Sequence, residues 1–167
     1  GMGAPPLQHL AQYLRQHYPD IHIVAFAGAR SKADLPFKIR PGIDATELSM
    51  VLEEFAHLGI KSQISTDDGS LGFKGFVTES LSQWLKDNPI DRPATIIYTC
   101  GPDPMLAAVA ELARREKLDC QVSTERMMGC GIGICQSCAV ECALPGSQES
   151  VFKLCCTDGP VFDSKEV

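Results

Sequence analysis

The stretch that decides the fold of this chain is Cys130-Gly131-Ile132-Gly133-Ile134-Cys135-Gln136-Ser137-Cys138, which the adjacent pair Cys155-Cys156 follows at a distance. Its cysteines have the spacing C-x4-C-x2-C, which is typical of a plant-type [2Fe–2S] site. Such a site needs four thiolates, so one cysteine of the distant pair would complete it. Neighbouring side chains of an extended segment point to opposite faces, and periodicity does not say which of the two cysteines is the ligand.

Glycines fit this predicted loop at Gly129, Gly131 and Gly133. The backbone must wrap closely around a cluster, and glycine permits positive φ and leaves amide N–H groups free to bond the sulfurs. The alternatives are a structural zinc site and packed thiols that bind nothing. Zinc sites more often add a second C-x2-C or histidines. The histidines of this chain all lie far upstream, at His9, His17, His22 and His57.

The composition predicts a soluble protein of one domain, or one domain with an appendage. Of its 167 residues 44% are hydrophobic and 22% charged, and no apolar run approaches the roughly 18 residues of a membrane span. The net charge is −6, with no basic stretch that would bind nucleic acid. No signal peptide is recognisable, so the eight cysteines predict a reducing compartment, the cytoplasm, and metal ligands rather than disulfides.

Upstream of the cysteine loop, strand patterns alternate with helical patterns. Apolar runs predict buried strands over residues 21–27, 61–66, 94–100 and 120–124. Helices are predicted from Pro5-Pro6, over residues 44–59, over 78–86 and after Pro104. This order predicts an α/β domain over residues 1–124, a parallel sheet with helices on both faces. Residues 125–167 form a predicted second module with short strands over 139–144 and 151–154.

Three segments of the first module lie where parallel sheets bind ligands, at strand ends that lead into helices. Residues 1–6, GMGAPP, form a glycine turn before a helix whose N-terminus attracts a pyrophosphate. The segment Thr99-Cys100-Gly101-Pro102 joins a strand to the next helix. Asp67-Asp68 offer a carboxylate to a ribose diol, and the absence of a neighbouring arginine favours NAD over NADP. The alternatives are an ordinary βα turn and a solvated turn.

Taken together, the motifs resemble the electron-transfer subunits of two-subunit, NAD-dependent dihydroorotate dehydrogenases of pyrimidine synthesis, over nearly the whole chain. The segments that carry the resemblance are GMGAPPL, FAGAR, TDDGSLGFKGFVT, YTCGPDPML, STERMMGCGIGICQSC and LCCTDGPVF. Related reductase subunits of sulfur metabolism and of ferredoxin–NADP oxidoreductases share parts of these segments. The resemblance implies a ferredoxin-reductase-type nucleotide-binding domain followed by a [2Fe–2S] module.

The resemblance also assigns site residues. In the family the fourth ligand directly precedes x-D-G-P-V-F, which implies the metal ligands Cys130, Cys135, Cys138 and Cys156. It places Cys100, Gly101 and Pro102 beside the nicotinamide. It places further residues along the dinucleotide, namely Gly3, Pro6, Arg30 and Asp67.

One departure from the family concerns the start of the sequence. In the family an FAD-binding β-barrel and the first strand of the nucleotide sheet precede the glycine turn, and here the sequence begins within that turn. We therefore expect a fragment that lacks the main FAD cradle and a central strand. The gap would be filled by a swapped segment, another chain or rearrangement. A closed five-stranded parallel sheet made from residues 21–124 alone would contradict this expectation.

The implied activity is electron transfer, with no acid or base residue in this chain. Nicotinamide exchanges hydride whereas a cluster exchanges single electrons, so the family places FAD between them. Electrons would come from FMN in a catalytic partner subunit of a hetero-oligomer and leave as hydride to NAD⁺. Exposed apolar residues are predicted to dock that partner or else to pack over the cluster: Met127, Met128, Ile132 and Ile134.

Two alternatives to this function stay open at the level of sequence. The first is a reductase subunit of a sulfur- or ferredoxin-linked oxidoreductase. The second is a zinc-stabilised binding module without enzymatic activity. The chain alone, as a fragment, need not be active.

Overall fold

The computed structural model describes residues 3–144 and 149–167 and divides the chain into two compact units, Gly1–Pro89 and Ile90–Val167. The elements of the first unit are α1 (Ala4–His17), β1 (Val24–Ala29), α2 (Glu53–Ala56), β2 (Lys61–Thr66), β3 (Phe73–Lys74) and α3 (Val77–Asp87). The elements of the second unit are β4 (Ile96–Cys100), α4 (Asp103–Glu116), β5 (Asp119–Ser123), β6 (Ala139–Ala143), β7 (Ser150–Leu154) and β8 (Val161–Asp163). No helix of the described residues has the length and apolar character to cross a membrane.

The first unit contains a parallel sheet in the order β1-β2-β3, with helices on both faces. Successive side chains of β1 point to opposite faces. Ala27 packs in the core that residues of α1 and α2 share. Gly28 faces α3, since a Cβ placed there would lie 2.9 Å from the Cβ of Val77. Phe26 points the same way and meets Trp84 of α3 edge-on, with ring centroids 5.7 Å apart. This layering is the one that the alternating pattern predicts.

The helix predicted over residues 44–59 is wrong over most of its length, because only α2 forms. Asp44 does not cap a helix; its carboxylate accepts hydrogen bonds from the Thr46 N–H at 2.8 Å and the Thr46 hydroxyl at 2.7 Å. Downstream, Ser49 and Ser62 exchange backbone hydrogen bonds of 3.0 and 2.7 Å, so this segment lies alongside β2. The apolar spacing matches a helix, but pairing with a neighbouring strand outweighs a weak local preference.

The second unit combines a three-stranded sheet with a hairpin. β4 and β5 are parallel, β8 adds to β5 in the antiparallel sense, and β6 pairs only with β7. α4 packs on this sheet through buried side chains that include Leu106, Val109 and Leu112. The predicted boundary at residues 124 and 125 therefore falls inside a compact unit, because β8 returns to β5. As a boundary between two functions it stays a prediction.

The strands predicted for a single sheet pair in two separate sets. Among the described residues, β1 pairs with β2 alone and β4 pairs with β5 alone, so each has one neighbour. The closed five-stranded parallel sheet that would contradict the predicted gap does not form from these residues. Both β1 and β4 present an edge of backbone N–H and C=O groups, the kind of edge on which another strand can pair.

Candidate functional site

The loop cysteines Cys130 and Cys135 form a first pair. The backbone N–H of Cys135 donates to the Sγ of Cys130 at 3.4 Å, and the N–H of Ile132 donates to the same sulfur at 3.5 Å. Gly131 and Gly133 have φ of 71° and 83°, values that L-residues with a side chain adopt at a cost. The predicted need for glycine in this loop therefore holds at these two positions.

The second pair joins the loop to the segment after β7. The Cys155 N–H donates to the carbonyl of Cys138 at 3.0 Å, and this contact holds the segment against the loop. The neighbouring Cys138 side chain, together with burial, raises the pKa of Cys156. The structure thus places Cys130 next to Cys135 and Cys156 next to Cys138.

Cys155 lies on the other side of its segment. Its side chain is fully buried, and its Sγ lies 3.5 Å from the Thr124 hydroxyl and 3.6 Å from the Thr124 carbonyl oxygen. Thr124 in turn binds the carbonyl of Pro160 through its N–H at 2.9 Å. Both cysteines lie in the turn after β7, where the alternation of an extended strand does not apply, and their surroundings differ: Cys155 is buried against Thr124 and Cys156 is half-buried near Cys138. The geometry favours Cys156 as the ligand, and that assignment stays a prediction.

The donor set at the loop consists of cysteine thiols, and a [2Fe–2S] cluster takes two thiolates at each of two irons. Within residues 3–144 and 149–167, no three His, Cys, Asp or Glu side chains converge on one point as ligands of one ion. Close approach is built in at Gly129, because a Cβ there would lie 3.1 Å from the Sγ of Cys135.

Electrostatics separate the loop cysteines from the other thiols. Hydrogen bonds from the side chain and backbone of Ser137, and further ones involving Cys130, lower the pKa of Cys135 to about 6. A metal binds the thiolate, so this shift prepares the sulfur for iron. Burial raises the pKa of both Cys120 and Cys142, which keeps those two thiols protonated and inert.

The two sulfur pairs differ in exposure. Cys138 is 2% exposed, whereas Cys130 and Cys135 lie at the surface. The apolar residues predicted to surround the loop are exposed at its outer side, with fractions of 86% at Met127, 48% at Met128, 67% at Ile132 and 76% at Ile134. We call these four residues the apolar rim. Each rim residue lies within three positions of Cys130 or Cys135 along the chain.

In the first unit, the predicted dinucleotide residues Arg30 and Asp67 come together. β1 and β2 are parallel and end in register at Ala29 and Thr66, so the next residues of each strand are neighbours. The N–H of Asp67 donates to the Ala29 carbonyl and that of Asp68 to the Arg30 carbonyl, both at 3.1 Å. These residues lie at the carboxyl edge of the sheet, where open α/β sheets bind ligands.

The backbone of Arg30, the residue that follows β1, lies next to the Asp67-Asp68 turn. The preference for NAD over NADP stays a prediction. The Arg30 side chain is 85% exposed, and its guanidinium lies 3.8 Å from the Asp34 carboxylate. Lys32, also near, donates its backbone N–H to the Ser70 hydroxyl at 2.8 Å.

An open groove of about 500 Å³ lies at this edge, lined by Ser31, Lys32, Ala33, Asp68 and Ser70. Hydrogen bonds from the side chain and backbone of Ser70 lower the pKa of Asp68, so this carboxylate is ionised at neutral pH. The Asp68 carboxylate can accept hydrogen bonds from hydroxyl groups. The neighbouring cationic side chains can pair with a phosphate. Sequence reasoning missed Lys32 and Ser70, since only the strand register brings them together.

The predicted glycine turn lies at the start of α1, and its first two residues fall outside the described ones. Gly3 is the N-cap residue and Pro6 lies in the first turn. At the other end of α1, the Arg15 guanidinium binds the carbonyl oxygens of Leu58 at 3.1 Å and Ile21 at 3.2 Å, just before β2 and β1 begin. α1 therefore runs from the carboxyl edge of the sheet towards its amino edge. This direction favours the predicted role of its N-terminus.

The other three predicted nucleotide residues lie in the second unit. Cys100 ends β4, Gly101 follows, and Pro102 is the N-cap residue of α4. A Cβ at Gly101 would overlap the terminal methyl of Met105, so the backbone here is closely packed. Arg126, which the sequence argument did not single out, binds the Asp103 carboxylate at 3.1 Å and ties this turn to the chain before Cys130.

A parallel α/β unit in one chain with a loop of paired cysteine thiols is the arrangement of ferredoxin-reductase-type proteins that carry an iron–sulfur domain. A solved structure titled as an NADH-dependent reduced ferredoxin–NADP oxidoreductase agrees with this class. It has a TM-score of 0.70 and 26% identity, and the match covers 99% of this chain and 50% of that one. The predicted fold class is confirmed.

Residues 125–167 match the family model described as the iron–sulfur cluster binding domain of dihydroorotate dehydrogenase B. Over nearly its whole length the chain is similar to proteins named as electron-transfer subunits of that enzyme. The probable subunit of Methanocaldococcus jannaschii is 38% identical over 97% of this chain and 52% of its own length. The subunit of Bacillus caldolyticus is 36% identical over 100% of this chain and 54% of its own length. The chain thus spans about half the length of these relatives, and the resemblance predicted from the motifs is confirmed.

Proposed function

We propose that this chain carries electrons between an FMN-containing catalytic subunit of dihydroorotate dehydrogenase and a nicotinamide dinucleotide, in the pyrimidine biosynthesis of the cytoplasm. The names of the relatives, NAD⁺-dependent dihydroorotate dehydrogenase B electron-transfer subunits, support this assignment. The observation that carries it is the pairing of Cys130 with Cys135 and of Cys138 with Cys156. Two pairs of thiolates are what a [2Fe–2S] cluster requires.

When bound, a [2Fe–2S] cluster supplies one-electron transfer, and FAD links it to the two-electron chemistry of nicotinamide. The chain itself contributes placement. The loop glycines let the backbone approach the sulfurs, and the N–H groups of Ile132 and Cys135 donate hydrogen bonds to the Cys130 sulfur. Cys155 anchors the segment of the fourth ligand through its buried contact with Thr124. No side chain of the site acts as a proton donor or acceptor in this proposal.

The apolar rim supports docking of a protein partner at the exposed pair. Four large apolar side chains rarely cluster at a surface without a role in association. Their position around Cys130 and Cys135 would bring the partner's flavin close to the outer iron. We infer a hetero-oligomer in which this rim is buried.

For the dinucleotide we propose contacts at the carboxyl edge of the first-unit sheet, from Arg30 and Asp67 and from Gly3 and Pro6 at the N-terminus of α1. The family resemblance separately assigns Cys100, Gly101 and Pro102, at the end of β4, to the nicotinamide, and we propose that role for them. The name of the relatives specifies NAD⁺, and we adopt that dinucleotide for this chain.

A second candidate is a reductase subunit that exchanges electrons with ferredoxin. The observation that favours it is the likeness to the NADH-dependent reduced ferredoxin–NADP oxidoreductase, which matches 99% of this chain. The two candidates share the cluster and differ only in the protein that docks on the rim.

The decisive experiment starts from chain purified without oxygen and analysed for iron and acid-labile sulfide. The FMN-containing catalytic subunit and dihydroorotate are then added, and the reduced cluster is followed by electron paramagnetic resonance. We expect a reduced-cluster signal with dihydroorotate and none when the catalytic subunit is omitted. Reduction by reduced ferredoxin but not by dihydroorotate would select the second candidate. A colourless protein with zinc in place of iron would overturn both.

A further inference from the structure

The hydroxyl of Ser137 occupies a position that neither the motif nor the proposed function assigns. Its Oγ lies 3.1 Å from the Sγ of Cys135, accepts the N–H of Gly129 at 3.0 Å and lies 3.2 Å from the carbonyl oxygen of Met127. The Ser137 hydroxyl thus contacts groups on both sides of Cys130: Met127 and Gly129 before it and Cys135 after it. The left-handed backbone of Gln136, with φ of 58°, lies between Cys135 and Ser137 in this turn.

The proton of this hydroxyl can serve only one acceptor at a time. The Gly129 N–H already donates to the oxygen, so the proton goes either to Met127 or to Cys135. The distance of 3.2 Å to the Met127 carbonyl is long for an O–H···O bond, whose usual length is about 2.7–2.8 Å. The distance of 3.1 Å to the larger sulfur atom is short. Once Cys135 is a thiolate, it is also the stronger acceptor, because charged acceptors make stronger bonds.

Gly129 packs against both the Ser137 hydroxyl and the Cys135 sulfur. A Cβ at Gly129 would lie 3.1 Å from the Sγ of Cys135 and 3.3 Å from the Oγ of Ser137, so only glycine allows this approach without a shift. By contrast, the bonds to the Sγ of Cys130 come from backbone N–H groups, which a side-chain replacement leaves in place. Ser137 is therefore the position at which a single substitution removes a hydrogen bond to a ligand sulfur.

We propose that Ser137 is a positioning residue that donates a hydrogen bond to the Cys135 thiolate and so raises the reduction potential of the cluster. Reduction adds one negative charge, which spreads onto the ligand sulfurs, and a donor to a sulfur stabilises the reduced form more than the oxidised form. The inference rests on the proposed function, since it needs a cluster at these cysteines. Cys135 is one of the two exposed cysteines, so the sulfur that Ser137 would affect lies at the surface of the chain.

The test is an anaerobic redox titration, followed by electron paramagnetic resonance, of the full chain and of Ser137→Ala, Ser137→Thr and Ser150→Ala. Ser150, the first residue of β7, is a control. Its hydroxyl donates a hydrogen bond of 2.6 Å to the Glu141 carboxylate of β6 and not to a cysteine sulfur. We expect Ser137→Ala to lower the equilibrium constant for one-electron reduction by up to about tenfold, a shift of about 59 mV to more negative potential. Ser137→Thr, which keeps the hydroxyl, is expected to restore the wild-type potential, and Ser150→Ala to leave it unchanged.

A second measurement separates this role from loop bracing. Resonance Raman spectra in H₂O and D₂O are expected to show an isotope shift of the Fe–S(Cys) bands that is larger in wild type and Ser137→Thr than in Ser137→Ala. A potential that stays the same in Ser137→Ala, with only a loss of thermal stability, would overturn the proposal. If Ser137→Ala does not assemble a cluster, Ser137→Cys provides a weaker donor, and an unchanged potential there overturns it equally. Wild-type chain without iron would instead overturn the proposed function itself.

Discussion

The cysteine loop and the carboxyl edge of the first-unit sheet reach their chemistry in different ways. In the loop, three predicted ligands lie within nine residues, and backbone hydrogen bonds of the same loop orient them. At the sheet edge, Arg30 and Asp67 are far apart in sequence and become neighbours only because β1 and β2 pair in register. One site is local and the other is assembled by tertiary pairing, so they respond differently to substitution.

The largest expected effect concerns the two adjacent cysteines that follow β7, Cys155 and Cys156. Cys156→Ala removes a thiolate from the inner pair, and we expect iron to fall from about two atoms per chain to nearly none. Cys155→Ala removes a thiol that faces Thr124 and is expected to keep the iron. Iron and sulfide analysis after anaerobic reconstitution measures both. Equal iron content in the two variants would refute the division of roles between these neighbours.

The second effect tests the packing that assembles the first unit. Gly72 has φ of 70°, and a Cβ there would overlap the Ile64 carbonyl oxygen of β2. Gly42 has a similar φ of 75° but open space around it. Gly72→Ala is expected to reduce the free energy of unfolding by about 3 kcal/mol or more, because it adds a steric clash to the backbone strain, and Gly42→Ala by about 1 kcal/mol. Urea denaturation of both variants measures the difference, and a smaller loss for Gly72→Ala would contradict it.

The third effect is a loss of dinucleotide affinity and tests the carboxyl edge of the first-unit sheet. Asp67→Asn removes the negative charge proposed to bind a ribose diol, and we expect the dissociation constant for NADH to rise about tenfold, as for loss of one hydrogen bond to a charged group. Asp20→Asn, exposed at the amino edge before β1, serves as the matched control with no change. Isothermal titration calorimetry measures both. An unchanged affinity for Asp67→Asn would remove Asp67 from the proposed site.

The smallest effect concerns the ion pair between Arg126, four residues before Cys130, and Asp103, the first residue of α4. Arg126 and Asp103 are both partly exposed, at 31% and 66%, so solvent screens their attraction. We expect a coupling free energy of below about 1 kcal/mol from a double-mutant cycle of Arg126→Ala and Asp103→Ala. Lys165 and Asp119 form a more exposed pair and are expected to give less. A coupling of several kcal/mol would indicate that this contact stabilises the second unit as strongly as a buried pair does.

More of the local site than of the assembled one can be predicted from the sequence. The cysteine spacing points to the loop because the thiolates of one cluster must lie close together in space, and three of the predicted ligands fall within nine residues. The neighbour of Asp67 is invisible in the sequence, since a strand register decides it. The same cause explains the helix wrongly predicted over residues 44–59, where bonds between Ser49 and Ser62 replace helical ones. β8 was not predicted because three residues carry too little pattern.

The role inferred for Ser137 shows where sequence reasoning stops within a local site. The residue is plainly visible inside the motif, but the direction of its hydroxyl depends on the positive φ of Gln136 and on the missing Cβ of Gly129. A serine at this spacing predicts nothing by itself. Its contact with the Cys135 sulfur appears only when the backbone path is known.

The exposure of Cys130 and Cys135 has a consequence for how the protein survives in air. Dioxygen and peroxide diffuse freely to sulfur atoms at a surface, whereas Cys138 is only 2% exposed and Cys156 is half-buried. Oxidative damage is therefore expected to begin at the outer thiolates. A bound partner that covers the apolar rim would then protect the sulfurs of Cys130 and Cys135 from oxidation, in addition to supplying electrons.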